Sequence, residues 1–154
     1  MTLLVTSILA ESVSDLAARA ERAWAGRADA VEVRMDAFDG DPGTLAEYLK
    51  AHKDRMWIVT CRSTEEGGCF RGDTMERVSR LIAAARGPGA YVDFELADWR
   101  RSDNIRQKVG FAAAATDGQA RRLILSSHDF ERCPENLDAI VHEMIGTHRA
   151  VAKI

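Results

Sequence analysis

The stretch DAVEVRMD, residues 29–36, alternates strictly: Val31, Val33 and Met35 fall on one side, Glu32, Arg34 and Asp36 on the other. A period of two is the signature of a β-strand. Taken alone, it describes a half-exposed strand with water on its polar face. Its surroundings change that reading. Short segments rich in Val, Ile and Leu recur along the chain as LLVTSILA (3–10), MWIVTCR (56–62), YVDFEL (91–96), RLILSSHDF (122–130) and AVAKI (150–154). The spacing is roughly 30 residues, the size of a βαβ unit.

Longer amphipathic segments fill the gaps. The first helix is expected from Ser12, with Asp15 as its capping partner and Val13, Leu16, Ala17, Ala20 and Trp24 on its apolar side. The second starts at Asp41-Pro42, an N-cap followed by proline in the first turn. The third has Asp73 as cap and Glu76 as partner, with Val78, Leu81, Ile82 and Ala85 on one face. The fourth begins near Ser102 and the fifth at Cys133-Pro134. Strands alternating with helices imply parallel pairing and right-handed crossovers. A dinucleotide-binding sheet would carry G-x-G-x-x-G after its first strand. Here Glu11-Ser12-Val13-Ser14 follows, which favours a barrel. A whole (β/α)8 barrel typically needs about 250 residues. The expectation is therefore an α/β chain of TIM-barrel type, incomplete, with six strands and five helices. Residues 1–154 form one partial domain lacking the C-terminal βα units.

Crossover helices remove water from a parallel sheet, so its strands should be nearly continuous apolar runs. Here Glu32, Arg34 and Asp36, then Thr60 and Arg62, Asp93 and Glu95, Ser126 and His128, and finally Lys153 occupy alternate strand positions toward the strands' C-terminal ends. Charges so placed must pair with one another or serve a site, and barrel enzymes keep catalytic groups at that end. His128 sits at a strand-to-loop junction. His52, His142 and His148 fall on helices or their ends and read as surface residues. Lys153 lies in an otherwise small, apolar segment; burial there is expected to lower its pKa and yield a nucleophilic amine. The Glu65-Glu66-Gly67-Gly68 stretch is a turn in a long loop after the third strand.

Composition bounds the rest. The 154 residues carry 21 Lys+Arg against 24 Asp+Glu, a formal charge of -3, which disfavours nucleic acid and anionic membranes as partners. No apolar run approaches the roughly 18 residues of a membrane span, and the opening segment lacks a basic leader. Cys61, Cys69 and Cys133 are read as reduced thiols of a cytoplasmic protein. With His128 they lack the spacing of a zinc site.

Five motifs in order resemble type I 3-dehydroquinate dehydratase, the Schiff-base class: Glu32-Val33-Arg34-Met35-Asp36; Thr60-Cys61-Arg62-Ser63 with Glu66-Gly67-Gly68; Tyr91-Val92-Asp93-Phe94-Glu95; Ser127-His128-Asp129-Phe130 with Pro134; and Ala152-Lys153-Ile154. The resemblance implies a (β/α)8 barrel that dehydrates 3-dehydroquinate to 3-dehydroshikimate in the shikimate pathway of aromatic amino-acid biosynthesis. It implies an imine on Lys153, acid–base work by His128, orientation of His128 by Glu66, and substrate contacts from Glu32, Arg34 and Arg62. Asp93 and Glu95 would support these, and no metal or diffusible cofactor would be needed. A Schiff-base aldolase on the same barrel is the alternative enzyme, and an inactive fragment the non-enzymatic one. The chain stops one residue after Lys153. It is thus expected to be a truncated product or the N-terminal piece of a longer protein, poorly stable alone, homodimeric or fused to a downstream domain.

Overall fold

A computed structural model describes residues 2–86, 90–114, 122–147 and 150–154; His148 lies outside them. Six strands run β1 (Val5–Ile8), β2 (Ala30–Arg34), β3 (Met56–Thr60), β4 (Ala90–Glu95), β5 (Leu123–Ser126) and β6 (Val151–Lys153). They form one sheet in sequence order, every neighbouring pair parallel. The helices are α1 (Val13–Ala25), α2 (Pro42–Ala51), α3 (Thr74–Ala84), α4 (Leu96–Arg101), α5 (Asp103–Ala112) and α6 (Leu137–Gly146), with a 3-10 turn at Met35–Ala37.

The expected helix starts hold for the first three. Ser12 Oγ accepts the Asp15 N–H, Asp41 accepts the Thr44 N–H with Pro42 in the first turn, and Asp73 accepts the Glu76 N–H. Each cap satisfies an amide that the helix itself leaves free. Two details differ from the sequence reading. A short extra helix, α4, fills the step between β4 and α5, because Leu96 and Trp99 are apolar enough to bury there. The last helix begins at Leu137, after Asn136, and not at Cys133-Pro134. Pro134 instead accepts the Leu137 N–H through its carbonyl and closes a turn.

The strands' apolar alternates face the helices. Val31 and Val33, Trp57 and Val59, Val92 and Phe94, and Leu123 and Leu125 join Leu16, Leu45, Leu81, Val109 and Met144 in one continuous core. The opposite alternates line the sheet's other face. In register these include Glu32 beside Ile58, Thr60 beside Asp93, and Ser126 beside Lys153. The sheet is strongly curled toward this face. On a flat sheet β2 and β6, four strands apart, would be about 19 Å from each other. Yet Lys153 Nζ donates to Glu32 Oε1 at 2.6 Å. The architecture is an open part of a (β/α)8 barrel, its polar side chains gathered on the concave side. No helix among the described residues is long and apolar enough to cross a membrane.

Candidate active site

Three side chains from alternate strands meet inside the curl. Lys153 of β6 donates to Glu32 of β2 and, at 2.8 Å, to Asp93 Oδ2 of β4. Taking side chains from every second strand is how a (β/α)8 barrel builds one interior layer. Thr60 Oγ1 donates to Glu32 Oε1 at 2.6 Å. Asp93 Oδ1 accepts from Ser126 Oγ at 2.6 Å and from Arg62 Nη2 at 2.9 Å.

Arg62 is the hub of the site. Its guanidinium is buried and directed at Asp93, Ser126, Glu95 and Glu66. Glu66 Oε2 in turn lies 2.9 Å from His128 Nδ1. Lys153, Asp93, Arg62, Glu66 and His128 thus form one chain of hydrogen bonds and ion pairs. Two further contacts fix its loops. The Ser127 N–H donates to the Lys153 carbonyl at 3.0 Å, holding the His128 loop to β6. Asp36 accepts the Arg62 and Cys69 N–H groups, tying both ends of the loop that carries Glu66.

The electrostatics correct one expectation. Burial does press the Lys153 pKa down. The Asp93 carboxylate and the hydrogen bonds to Asp93 and Glu32 outweigh it, and the net shift is upward. The lysine rests as an ammonium because two carboxylates share its small space. For Glu32, burial pushes upward but the hydrogen bonds from Lys153 and Thr60 prevail, and its pKa is lowered. Glu95 goes the other way: burial raises its pKa beyond what Arg77 and the Ser63 N–H recover.

Most residues singled out from sequence come together. Glu32, Arg62, Glu66, His128 and Lys153 share the connected network. Arg34 stands apart from it, held in a two-pronged pair by Asp36 at 2.9 and 2.7 Å with its side chain 18% exposed. His52 and His142 each bond a carbonyl of their own helix or its end through Nδ1. Two residues escaped the sequence reading. Arg77 of α3 is buried, donates to the Cys61 carbonyl, and pairs with Asp98 and Glu95. Its signal was available: position 77 is one turn before Leu81 on the buried face, where an arginine must find a partner. Ser7 of β1 pairs in register with Glu32, but a lone serine in an edge strand carries no distinctive pattern.

Comparison with known proteins gives the lineage. The family model for type I 3-dehydroquinase matches residues 4–154. The chain is 35% identical over 136 residues to a 3-dehydroquinate dehydratase of Methanosarcina acetivorans, covering 82% of this chain and 53% of that protein. It is 31% identical over 159 residues to that of Methanosarcina barkeri, covering 97% and 62%. The solved type I 3-dehydroquinate dehydratase of Clostridium difficile superposes with a TM-score of 0.73 at 21% identity, over 96% of this chain and 59% of that one. The Enterococcus faecalis structure gives 0.72 at 20% identity, over 96% and 62%. The chain therefore spans little more than half the length of the relatives it matches. At such identities the structures speak for the fold alone, and they are barrels of the same kind. On the match across residues 4–154 and the identity to the archaeal relatives, this chain belongs to the type I 3-dehydroquinase family.

Proposed function

We propose that this chain carries the lysine–imine machinery for dehydrating 3-dehydroquinate to 3-dehydroshikimate, as a cytoplasmic biosynthetic enzyme acting on a small molecule. The observation that carries the reading is Lys153, turned into the concave face between Glu32 and Asp93 and joined through Arg62 and Glu66 to His128.

Each residue then has a task. The Lys153 amine attacks the substrate ketone and forms an imine with loss of water. The protonated imine withdraws electrons and acidifies the neighbouring C–H. His128 removes that proton and returns it to the departing hydroxyl, a dual role that suits an imidazole near neutrality. Glu66 holds the ring by Nδ1 and leaves Nε2 for the substrate. Glu32, Arg34 and Arg62 contact the substrate, the glutamate and an arginine meeting its hydroxyls. Hydrolysis of the imine releases product and restores Lys153.

The test is reductive trapping. Incubation with 3-dehydroquinate and borohydride, followed by peptide mass mapping, is expected to place the adduct on Lys153. Lys153→Ala should give none. His128→Ala should still form the adduct while proton transfer slows by about 10²–10⁴. An adduct that survives in Lys153→Ala means another nucleophile and ends this assignment. Trapping with aldol substrates alone would favour an aldolase.

A further inference from the structure

We propose that Asp36 is a positioning residue for specificity: it fixes the aim of the Arg34 guanidinium and so sets the preference for a polar, hydroxylated ketone over a plain one. The inference rests on the lysine–imine reading above and deepens it, by naming what holds a substrate-contacting arginine in place.

Asp36 follows β2 in the 3-10 turn Met35–Ala37, and its side chain is closed from water. Four donors converge on it. Oδ1 accepts from Arg34 Nε at 2.9 Å and from the Arg62 N–H at 3.1 Å. Oδ2 accepts from Arg34 Nη2 at 2.7 Å and from the Cys69 N–H at 3.0 Å. Burial pushes its pKa up, but the hydrogen bonds from Arg34 and from the Cys69 and Arg62 amides prevail, and it is lowered. Each oxygen thus holds one prong of the arginine and one backbone amide. An exposed ion pair can swing apart; this carboxylate cannot turn without breaking all four bonds.

Arg34 is in a different position. Its side chain is partly exposed, and among the described residues Asp36 is its one hydrogen-bond partner. Glu32 acts on it only from a distance. The pair with Asp36 uses two of the five guanidinium N–H bonds. The fork is planar and rigid, so the other three are directed away from Asp36. Arg34 is in register with Thr60, and Thr60 with Asp93, whose carboxylate holds Lys153. The free donors therefore stand on the same rung of the sheet as the partner of the amine. A long side chain loses rotamer freedom when it meets a ligand, and here Asp36 has removed that freedom beforehand. Because the same carboxylate holds the Arg62 and Cys69 amides, Arg34 is also fixed relative to both ends of the loop that carries Glu66.

The experiment compares two ketones by adduct formation at Lys153 under excess cyanoborohydride, read by peptide mass. One is 3-dehydroquinate. The other is cyclohexanone, which has no hydroxyl or carboxylate for an arginine to meet. The quantity read is the ratio of their trapping efficiencies. Asp36→Asn puts a donor where one oxygen accepted two, and it cannot hold Arg34 by both prongs. The ratio should fall about tenfold, through a higher half-saturating concentration of 3-dehydroquinate. Arg34→Lys keeps the charge without the fork and should lower the ratio by the same factor. If Asp36 only braces the loop, Asp36→Asn slows both ketones alike and the ratio is preserved, which overturns the proposal. So does an Arg34→Lys chain that discriminates as the unaltered one does. Should circular dichroism show that Asp36→Asn does not fold, Arg34→Lys decides by the same criterion. Absence of any Lys153 adduct in the unaltered chain overturns the lysine reading and this inference with it. Adducts formed with no preference for 3-dehydroquinate, or with a ratio that neither variant lowers, overturn this inference alone.

Discussion

Arg62 Nη2 stands 2.9 Å from Asp93 Oδ1, with the two side chains 5% and 0% exposed. Neither charge has water to fall back on, and Glu66 and Glu95 face the same guanidinium. Removing the arginine would leave Asp93 with Lys153 alone, Glu95 with Arg77 alone and Glu66 with only the His128 ring. Arg62→Met is expected to destabilise the fold by about 3–5 kcal/mol, read as a fall in the urea midpoint. Arg62→Lys should recover little, because a point charge cannot reach Asp93, Ser126 and Glu66 from one place. A midpoint unchanged in Arg62→Met would mean that the hub is not formed in solution.

The loop carrying Glu66 makes a finer prediction. Gly67 has φ +78, and a Cβ there would come within 2.7 Å of the Phe130 ring, which is itself 76% exposed. The ring can swing away, so Gly67→Ala should cost about 1–2 kcal/mol, chiefly for the left-handed backbone. At Gly68 a Cβ overlaps the Arg62 backbone carbonyl, which cannot move aside without disturbing the hub. Gly68→Ala should be the more damaging change, and it should disorder the Glu66–His128 pair. Equal thermal shifts for the two variants would contradict this ordering.

Stability should also depend on pH in a stated direction. The pKa values of Glu32 and Asp36 are lowered from 4.5 and 3.8 by hydrogen bonds that overcome their burial, led by Lys153 and by Arg34 respectively. Their stabilisation is full above those ordinary values and is lost as pH falls through the lowered ones. Lys153 is raised above 10.5, so its contribution is full below that value and is lost as pH rises through the raised one. Glu95, raised above 4.5 by burial, works against the fold above 4.5 and relieves part of the acid loss. Burial pushes the Cys61 thiol up from 9.0 to about 12, so it works against the fold above pH 9, and urea midpoints should form a plateau from about pH 5 to 9 and fall on both sides. In Lys153→Met the alkaline fall should shrink, and an unchanged alkaline limb would contradict the pairing.

Three helix starts and the six strands could be read from sequence because each is announced locally: Ser12, Asp41 and Asp73 accept the amides that caps are expected to accept. The extra helix α4 was hidden because Leu96–Arg101 follows β4 directly, with no turn residue between them, and six residues are too few to show a helical period. The polar alternates in DAVEVRMD revealed that something lay on the inner face, but periodicity could not say which charges would meet. That depends on curl, which brings β2 to β6. The state of Lys153 was missed for the same reason. Desolvation can be inferred from apolar neighbours in sequence, whereas the two carboxylates that overcome it come from positions 32 and 93.

The open side of the curl carries the last prediction. β1 and β6 each have a single strand neighbour among the described residues. Beside them Leu3, Val5, Val151 and Ile154 are between 41% and 55% exposed, along a cavity of about 620 Å³. Free edge amides flanked by apolar side chains invite pairing with another chain. The 154-residue chain by itself should therefore associate as its concentration rises, visible in sedimentation velocity. Placing lysines on both edges, as in Val5→Lys with Val151→Lys, should suppress this by charge repulsion. Both positions line the cavity that Glu32 and Lys153 also line, so the readout is self-association and not trapping at Lys153. A chain that stays monomeric at every concentration would show that these edges are protected in a way the fold described here does not provide.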